Sequence, residues 1–189
     1  MPDQDATRWN ARYLQDARYA TFTAARPFLV EHAVYLPHSG LALDVAMGLG
    51  GNAGFLLDCG LQVVGVDISW VALQQAKARL PHLQAVLADL TNFYLPEARF
   101  DVILNFYYLQ RTLWPQFQRA LRPSGLLVIE TLTRAMLDSH PDFDPDFLLK
   151  PGELRQAFSN WQILVYHEGW VGRDTDHPRA VASLVARLP

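Results

Sequence analysis

Five short runs rich in Val, Leu and Ile recur along the chain: "LALDV" (41–45), "QVVGVD" (62–67), "LQAVLAD" (83–89), "FDVIL" (100–104) and "GLLVIE" (125–130). Near-continuous apolar runs of this length read as strands buried on both faces, and a sheet covered on both sides by helices is what buries them. Segments of helical length separate most of them. In "SWVALQQAKARL" Ser69 is the expected N-cap, and Val71, Leu73, Ala76 and Leu80 recur at roughly helical spacing until Pro81 ends the run. Gly60 is the expected helix terminator after "FLLDC", and a further helix is predicted at "WPQFQRAL" ahead of Pro123. Strand, helix and strand in repetition predict a doubly wound α/β sheet.

Two regions fall outside this rhythm. About forty N-terminal residues, including "RWNARYLQDARY" and "AARPFLVEHAVYL", read as a helical cap over 1–40, and "WQILVYHEGW" with "RAVASLVARLP" reads as two adjacent antiparallel strands closing one sheet edge. Between Arg134 and Leu149 the run "DSHPDFDPDF", with its prolines and aspartates, is too long for a mere connector and is a candidate lid. No repeat, low-complexity tract or linker divides the chain, and 189 residues at 50% hydrophobic composition fit one domain over 1–189 with its core in 41–189. A net charge of −3 and a pI near 6.0 provide no field for a nucleic-acid backbone, so nucleic acid is excluded as an expected partner. A lone cysteine, Cys59, forms no intramolecular disulfide and has no visible activating partner. The polar start and the lack of a membrane-length apolar run make the expectation a cytoplasmic protein without membrane association, its oligomeric state open.

The chemistry concentrates in "LALDVAMGLGGNAGFLL" (41–57), where a strand ends in an acid and a glycine loop opens a helix. In open α/β sheets the loop after the first strand is the usual ligand cradle, and Gly48, Gly50 and Gly51 let backbone approach a ligand closely; Asn52 follows directly and joins the candidate set. Asp67, ending the second strand, stands where a carboxylate accepts both hydroxyl protons of a ribose. Two ligands fit: a nicotinamide or flavin dinucleotide, and S-adenosylmethionine. A carboxylate at Asp44 repels a pyrophosphate and attracts a sulfonium and an ammonium, which favours the second. The structural alternative is an Asp that caps the turn.

"LALDVAMGLGGNAGFLL", "VVGVDIS", "AVLADL", "FDVILNF" and "LRPSGLLVIE", over about residues 41–131, resemble in order the successive motifs of class I S-adenosylmethionine-dependent methyltransferases. The resemblance implies a Rossmann-like sheet of seven strands with an antiparallel last strand, S-adenosylmethionine as cofactor, and methyl transfer as the activity. It implies that Asp67 holds the ribose, Ile68 packs on adenine, and Asp89 with the backbone of Leu90 recognises the adenine amine. Ala46 stands where the family usually has its first glycine, and Met47 where a cysteine is frequent; the added methyl is expected to weaken cofactor binding without abolishing it. "RWNARY" and "DFLLKPGELRQAF" (146–158) are similar to segments of the tellurite-resistance methyltransferase group, which acts on small soft nucleophiles and oxyanions. That similarity implies that Arg12 and Tyr13 face the methionine end of the cofactor. Alternatively Trp9 and Tyr13, four apart, simply pin a helix to the core.

Methyl transfer from a sulfonium is an in-line displacement with a preactivated donor, so alignment and exclusion of water are the protein's main tasks. "NFYYLQR" (105–111) follows the fourth strand and supplies the pocket candidates Asn105, on the cofactor side, Tyr107, Tyr108 and Arg111, while Phe106 and Leu109 are assigned to the core. It lacks the prolines of the Asn-Pro-Pro-Tyr type found in amino-methylating nucleic-acid enzymes. Glu130 at the fifth strand's end and His140 in the candidate lid complete the pocket set. His140, or His167 with Glu168, are the candidate bases, none with a clear claim, so the catalytic residues stay open and no metal is expected. The expected acceptor is a small molecule, soft or anionic, such as a thiolate or a chalcogen oxyanion. Two other readings remain: a non-catalytic S-adenosylmethionine-binding or regulatory protein, motivated by Ala46 and the missing base, and a dinucleotide oxidoreductase.

Overall fold

The computed structural model describes residues 2–16, 22–172 and 177–189. Seven strands form one sheet: β1 (Leu41–Val45), β2 (Gln62–Asp67), β3 (Gln84–Leu87), β4 (Phe100–Phe106), β5 (Leu121–Leu132), β6 (Gln162–Val171) and β7 (Arg179–Arg187), in the order β3-β2-β1-β4-β5-β7-β6. The strands from β3 to β5 pair in parallel, and β7 runs antiparallel to both β5 and β6. The expected Rossmann-like sheet with a reversed last strand is the observed one. β1 and β2 have the expected bounds. β3 is shorter and mostly exposed because it is an edge strand with one neighbour. β5 starts four residues early, since Leu121 pairs with Phe100 before the chain loops out and pairing resumes at Leu126 with Val102.

Helices α1 (Pro2–Gln15), α2 (Pro27–Glu31), α3 (Gly51–Asp58) and α4 (Trp70–Arg79) belong to the first half, and α5 (Trp114–Ala120) and α6 (Glu153–Ala157) to the second. Ser69 caps α4 as expected, its hydroxyl accepting a hydrogen bond from Ala72 N at 3.2 Å. Gly60, at φ 91°, follows the end of α3 in the left-handed conformation that terminates helices. The predicted N-terminal helices are present as α1 and α2, although the stretch from Ala17 to Tyr19 of "RWNARYLQDARY" lies outside the described residues.

Period-two alternation divides the strands between two cores. Leu43, Val45, Ile103, Leu127 and Ile129 face Phe117, Phe158 and Trp161, from α5 and the chain beside α6. Ala42, Leu104, Leu126 and Val128 face Phe28 and Leu29 of α2, Leu56 of α3 and Leu73 of α4. α1 is tethered to the start of α4 by Asn10, whose side-chain oxygen accepts from Ser69 Oγ at 2.8 Å and from Val71 N at 3.1 Å. None of the helices, among the described residues, is long and apolar enough to cross a membrane.

Candidate functional site

β1 connects onward to β2 on one side, while β4 lies on the other side of β1, so the sheet order reverses between β1 and β4. In open α/β sheets ligands bind outside the carboxyl ends of the strands at such a reversal. Val45 and Asn105 are register partners across that junction, and Asp44 pairs with Leu104 and Gly65.

The turn after β1 is bent by three left-handed residues, Ala46 (φ 53°), Gly48 (φ 56°) and Gly50 (φ 74°). Ala46 is the exception to a glycine requirement: a methyl in this region costs roughly 1–2 kcal/mol, and the loop carries that strain. Gly48 leaves room for Tyr13, since a Cβ there would lie 2.6 Å from the tyrosine hydroxyl oxygen. At Gly51 a Cβ would run into the carbonyl of Ala24, so the segment preceding α2 lies directly on the loop. Asn52, buried in the first turn of α3, accepts a hydrogen bond from Arg26 N at 2.9 Å and holds that segment in place.

Asp67 is buried and knits the loop together: Oδ2 accepts from Gly48 N at 2.7 Å and Oδ1 from Ser69 N at 2.8 Å. Burial raises its pKa against these bonds. The backbone donors of Gly48, Ser69 and Ile68 do not fill what a carboxylate can accept, so it retains capacity for a ligand hydroxyl. Asp44 is only 1% exposed and its Oδ2 has no partner. Loss of hydration and the neighbouring Asp67 push its pKa up to about 7, against the opposing pull of a backbone bond from Ala53 and the charge of Arg26. On the neighbouring strand Asn105, the register partner of Val45, is fully buried with both side-chain polar atoms unpartnered. By strand alternation the two side chains leave opposite faces of the sheet at the ends of β1 and β4. A buried polar group left unpaired costs about 1–3 kcal/mol in a purely structural core. Asp44 Oδ2 can accept from a ligand ammonium, and the Asn105 amide can accept from or donate to a polar ligand group.

The other expected residues separate into groups. Ile68 is half-buried at the end of β2, and Asp89, half-buried past β3, accepts from Thr91 N at 2.9 Å and Thr91 Oγ1 at 2.8 Å. Leu90 is buried, its carbonyl accepting from Gln110 Nε2 at 3.1 Å, and Gln110 also accepts from the Tyr108 hydroxyl. Tyr108 therefore stands with Asp89 and Asp67 on the β2–β3 side, rather than beside Tyr107. Its pKa is pushed up to about 12 by burial first and then by those acids. Phe106 and Leu109 are core residues, as expected. The Arg12 guanidinium lies 4.8 Å from the Trp9 ring centroid, and Trp9 and Tyr13 are 6.0 Å apart.

Arg111 departs from the expectation that its cation faces a pocket. Its Nε and Nη2 donate to the two Glu153 oxygens at 2.5 and 3.0 Å, and Nη1 and Nη2 reach the carbonyls of Asp146 at 2.8 Å and Leu148 at 3.2 Å. It fastens the 134–149 segment to α6. That segment is two 3-10 turns, Arg134–Asp138 and Pro145–Phe147, closed by a bridge between Thr133 and Leu149. His140 is exposed there, bonded to Ser139 Oγ at 3.0 Å and tilted against Phe143. His167 and Glu168 lie exposed on the edge strand β6, away from the β1–β4 junction, with Glu168 accepting from Gly152 N and the Tyr166 hydroxyl. None of these three stands near Asp44.

Tyr107, a pocket candidate and left-handed at φ 56°, meets Glu130, also expected in the pocket, and residues that sequence reasoning missed, Arg26, Arg179 and Ser183. Its hydroxyl donates to Glu130 Oε1 at 2.9 Å, and Ser183 Oγ donates to Oε2 at 2.7 Å. Arg26 lies 4.7 Å and Arg179 5.4 Å from the Tyr107 ring centroid. Burial and then Glu130 push the phenol up to about 12. Arg26 was visible in the sequence only as the residue before Pro27, and Arg179 as the start of a strand.

Residues 42–125 match a family model described as a methyltransferase domain. A probable S-adenosylmethionine-dependent methyltransferase of Mycobacterium tuberculosis is 33% identical over 98 residues, 49% of this chain and 35% of its own length. A trans-aconitate 2-methyltransferase of Azoarcus sp. is 34% identical over 137 residues, 69% of this chain and 51% of that protein. This chain thus spans a third to a half of the length of these relatives. The solved structure of TehB from Haemophilus influenzae superposes with a TM-score of 0.74 at 17% identity, over 96% of this chain and 67% of that one. The chain is therefore related by sequence to class I S-adenosylmethionine-dependent methyltransferases over residues 42–125, and has their seven-stranded fold.

Proposed function

We propose that the protein is an S-adenosylmethionine-dependent methyltransferase acting on a small anionic molecule. The observation that carries this is the unpaired, buried Asp44 Oδ2 at the end of β1, directly before the glycine loop, with the unpaired Asn105 amide at the end of neighbouring β4. A buried carboxylate with one oxygen left unpaired favours a cation, which the cofactor's ammonium and sulfonium provide and a dinucleotide's pyrophosphate does not. When bound, the cofactor supplies a methyl group already activated on a sulfonium. In this reading Asp44 and Asn105 hold the amino-acid end, Gly48 and Gly50 admit it by backbone approach, and Asp67 accepts the ribose hydroxyl protons. Ile68, Asp89 and Leu90 line the base end, and Tyr13 closes over Gly48, with Arg12 behind it on Trp9. Residues 1–189 act as one unit, α1 and α2 capping the crevice.

An anionic acceptor is supported by the cations against Tyr107 and by the exposed positions of His140 and His167, the histidines considered as bases. Thiolates and chalcogen oxyanions are the acceptor class suggested by the similarity of "RWNARY" and "DFLLKPGEL" to the tellurite-resistance group. A neighbouring positive charge favours the ionised nucleophile, and no proton has to be removed by the enzyme. The trans-aconitate enzyme among the relatives takes, by its name, an anionic acceptor. Incubation with methyl-labelled cofactor and a panel of thiols, selenite, tellurite, polycarboxylates, phenols and amines tests the reading. Labelled product from an anionic member is the expected result. Binding of cofactor without any product identifies a non-catalytic binding protein instead. Replacing His140 and His167 by Ala, singly and together, should leave the maximal rate within a few-fold; a hundredfold loss, the scale of a general base, would make the acceptor a neutral oxygen or nitrogen.

A further inference from the structure

Arg26 and Arg179 arrive at one aromatic ring from opposite ends of the chain. Arg26 precedes α2 and is fixed by its own backbone bond to Asn52, and Arg179 opens β7 in register with Val171. Both guanidinium carbons lie within 5.4 Å of the Tyr107 centroid. Both residues are half-buried, and neither guanidinium has an ion-pair partner among the described residues. Glu130, the acid within reach, has each oxygen already engaged by a hydroxyl, from Tyr107 and from Ser183. Burial and the charge of Arg179 both lower the pKa of Arg26. Two cations thus share a site with one carboxylate, while Asp44, also within Coulombic reach of Arg26, is pushed towards its neutral form. An uncompensated, partly desolvated positive charge is costly unless an anion occupies the site.

Position and guanidinium geometry set the anion's class. Asp67 and Asp89 follow β2 and β3 on one side of β1, whereas Tyr107, Glu130 and Arg179 stand at the ends of β4, β5 and β7 on the other. A guanidinium against a ring uses its flat face and keeps its in-plane N–H groups, whose fork fits a carboxylate or a similar oxyanion. Tyr107 is held in its left-handed conformation by its own N–H, which donates to the Glu130 carbonyl at 2.8 Å, so the ring is a rigid platform.

We propose that Arg26 and Arg179, stacked on Tyr107 across the β4–β5–β7 end of the crevice, form a subsite that binds a carboxylate or similar oxyanion. The proposal rests on the methyltransferase reading for the two sources of that anion, the acceptor or the amino-acid end of the cofactor. Calorimetric titrations separate them. Malonate is titrated into the free protein and into protein saturated with S-adenosylhomocysteine; S-adenosylhomocysteine and 5′-methylthioadenosine, which lacks the carboxylate, are titrated into free protein. Wild type, Arg26→Gln, Arg179→Gln, Arg179→Lys and the exposed-surface charge control Arg119→Gln are compared, with melting curves to verify folding. An acceptor subsite predicts at least a tenfold loss of malonate affinity in both Gln variants, partial recovery in Arg179→Lys, and unchanged S-adenosylhomocysteine binding. A cofactor subsite predicts at least a tenfold loss for S-adenosylhomocysteine in both Gln variants and none for 5′-methylthioadenosine. Affinities within twofold of wild type for every ligand, in both Gln variants, overturn the subsite and leave the arginines as packing. Failure of S-adenosylhomocysteine to bind wild type overturns the methyltransferase reading alone, because malonate binding to free protein still reports on the arginine pair.

Discussion

Asp44 is the residue in which folding and binding oppose each other most directly. An acid whose pKa rises from 3.8 to about 7 on folding is more protonated in the native than in the unfolded chain between those values. The unfolded state then binds fewer protons, so this group's contribution makes stability fall as pH rises through that window, and the loss is complete above about 7. At 1.36 kcal/mol per unit the loss reaches up to about 4 kcal/mol. Asp44→Asn removes it: urea unfolding of ligand-free protein should show the variant gaining on wild type between pH 5 and pH 8, and a constant difference would place the carboxylate's charge elsewhere. Binding has the opposite sign. Cofactor affinity should strengthen as Asp44 ionises towards pH 8 and be weak and pH-independent over this range in Asp44→Asn. Asp67 carries a second load, as acceptor for the loop amide of Gly48 and as candidate ribose acceptor. Asp67→Ala should lose both, weakening S-adenosylhomocysteine binding by about 1.5–3 kcal/mol in calorimetry; unchanged affinity would assign the ribose to another group.

Among the elements, the segment from Arg134 to Leu149 owes its position to one side chain. The forked bond of Arg111 to Glu153, with its two carbonyl contacts, spans 35 to 42 residues of sequence, and the ion pair lowers the pKa of Glu153. That contribution is present above the usual carboxylate pKa and is lost as pH falls through the lower folded value. Arg111→Ala should cost about 1–2 kcal/mol, the pair being partly exposed. Amide exchange should accelerate across 134–150 first, and uniform acceleration would mean that Arg111 does not anchor this segment. The α2 segment is held differently, by steric closeness. Gly51→Ala would collide with the backbone of Ala24, which cannot swing aside as a side chain does, and so should displace Arg26 along with it. Loss of malonate affinity in Gly51→Ala with α3 intact by circular dichroism is the expected outcome, and full affinity would mean that Arg26 is positioned independently of the loop.

For the whole molecule, crevice and fold are coupled by mass action. S-adenosylhomocysteine at about a hundred times its dissociation constant should add roughly 2.7 kcal/mol to unfolding. NAD at the same excess should add nothing, and the reverse order would favour a dinucleotide enzyme. The sheet divides the labour. Its β3–β2–β1 half carries the carboxylates Asp44, Asp67 and Asp89, and the Tyr107 platform at the end of β4 meets Arg179 of β7 and Arg26 before α2.

What could be read without a structure follows from short-range rules. The bounds of β1 and β2 came from apolar runs, the α4 cap from Ser69, the end of α3 from Gly60, and the crevice loop from glycines after a strand, since each is decided within a few residues. The reversed β7 was legible because two long apolar strands lie close in sequence. The strain at Ala46 was foreshadowed by a methyl in a glycine position. The limits appear where a side chain's role depends on partners far along the chain. Arg111 looked like a pocket cation until Glu153 claimed it, and Tyr108, a pocket candidate like Tyr107, stands instead with Asp67 and Asp89 on the other half. Asn10 became the anchor of α1 only because Ser69 lies beneath it, 59 residues away. Arg26 and Arg179, separated by most of the chain, carry no pattern that links them. Periodicity and capping are properties of neighbouring residues and specify elements; the pairing of charges across a crevice depends on how those elements pack, which only the tertiary structure decides.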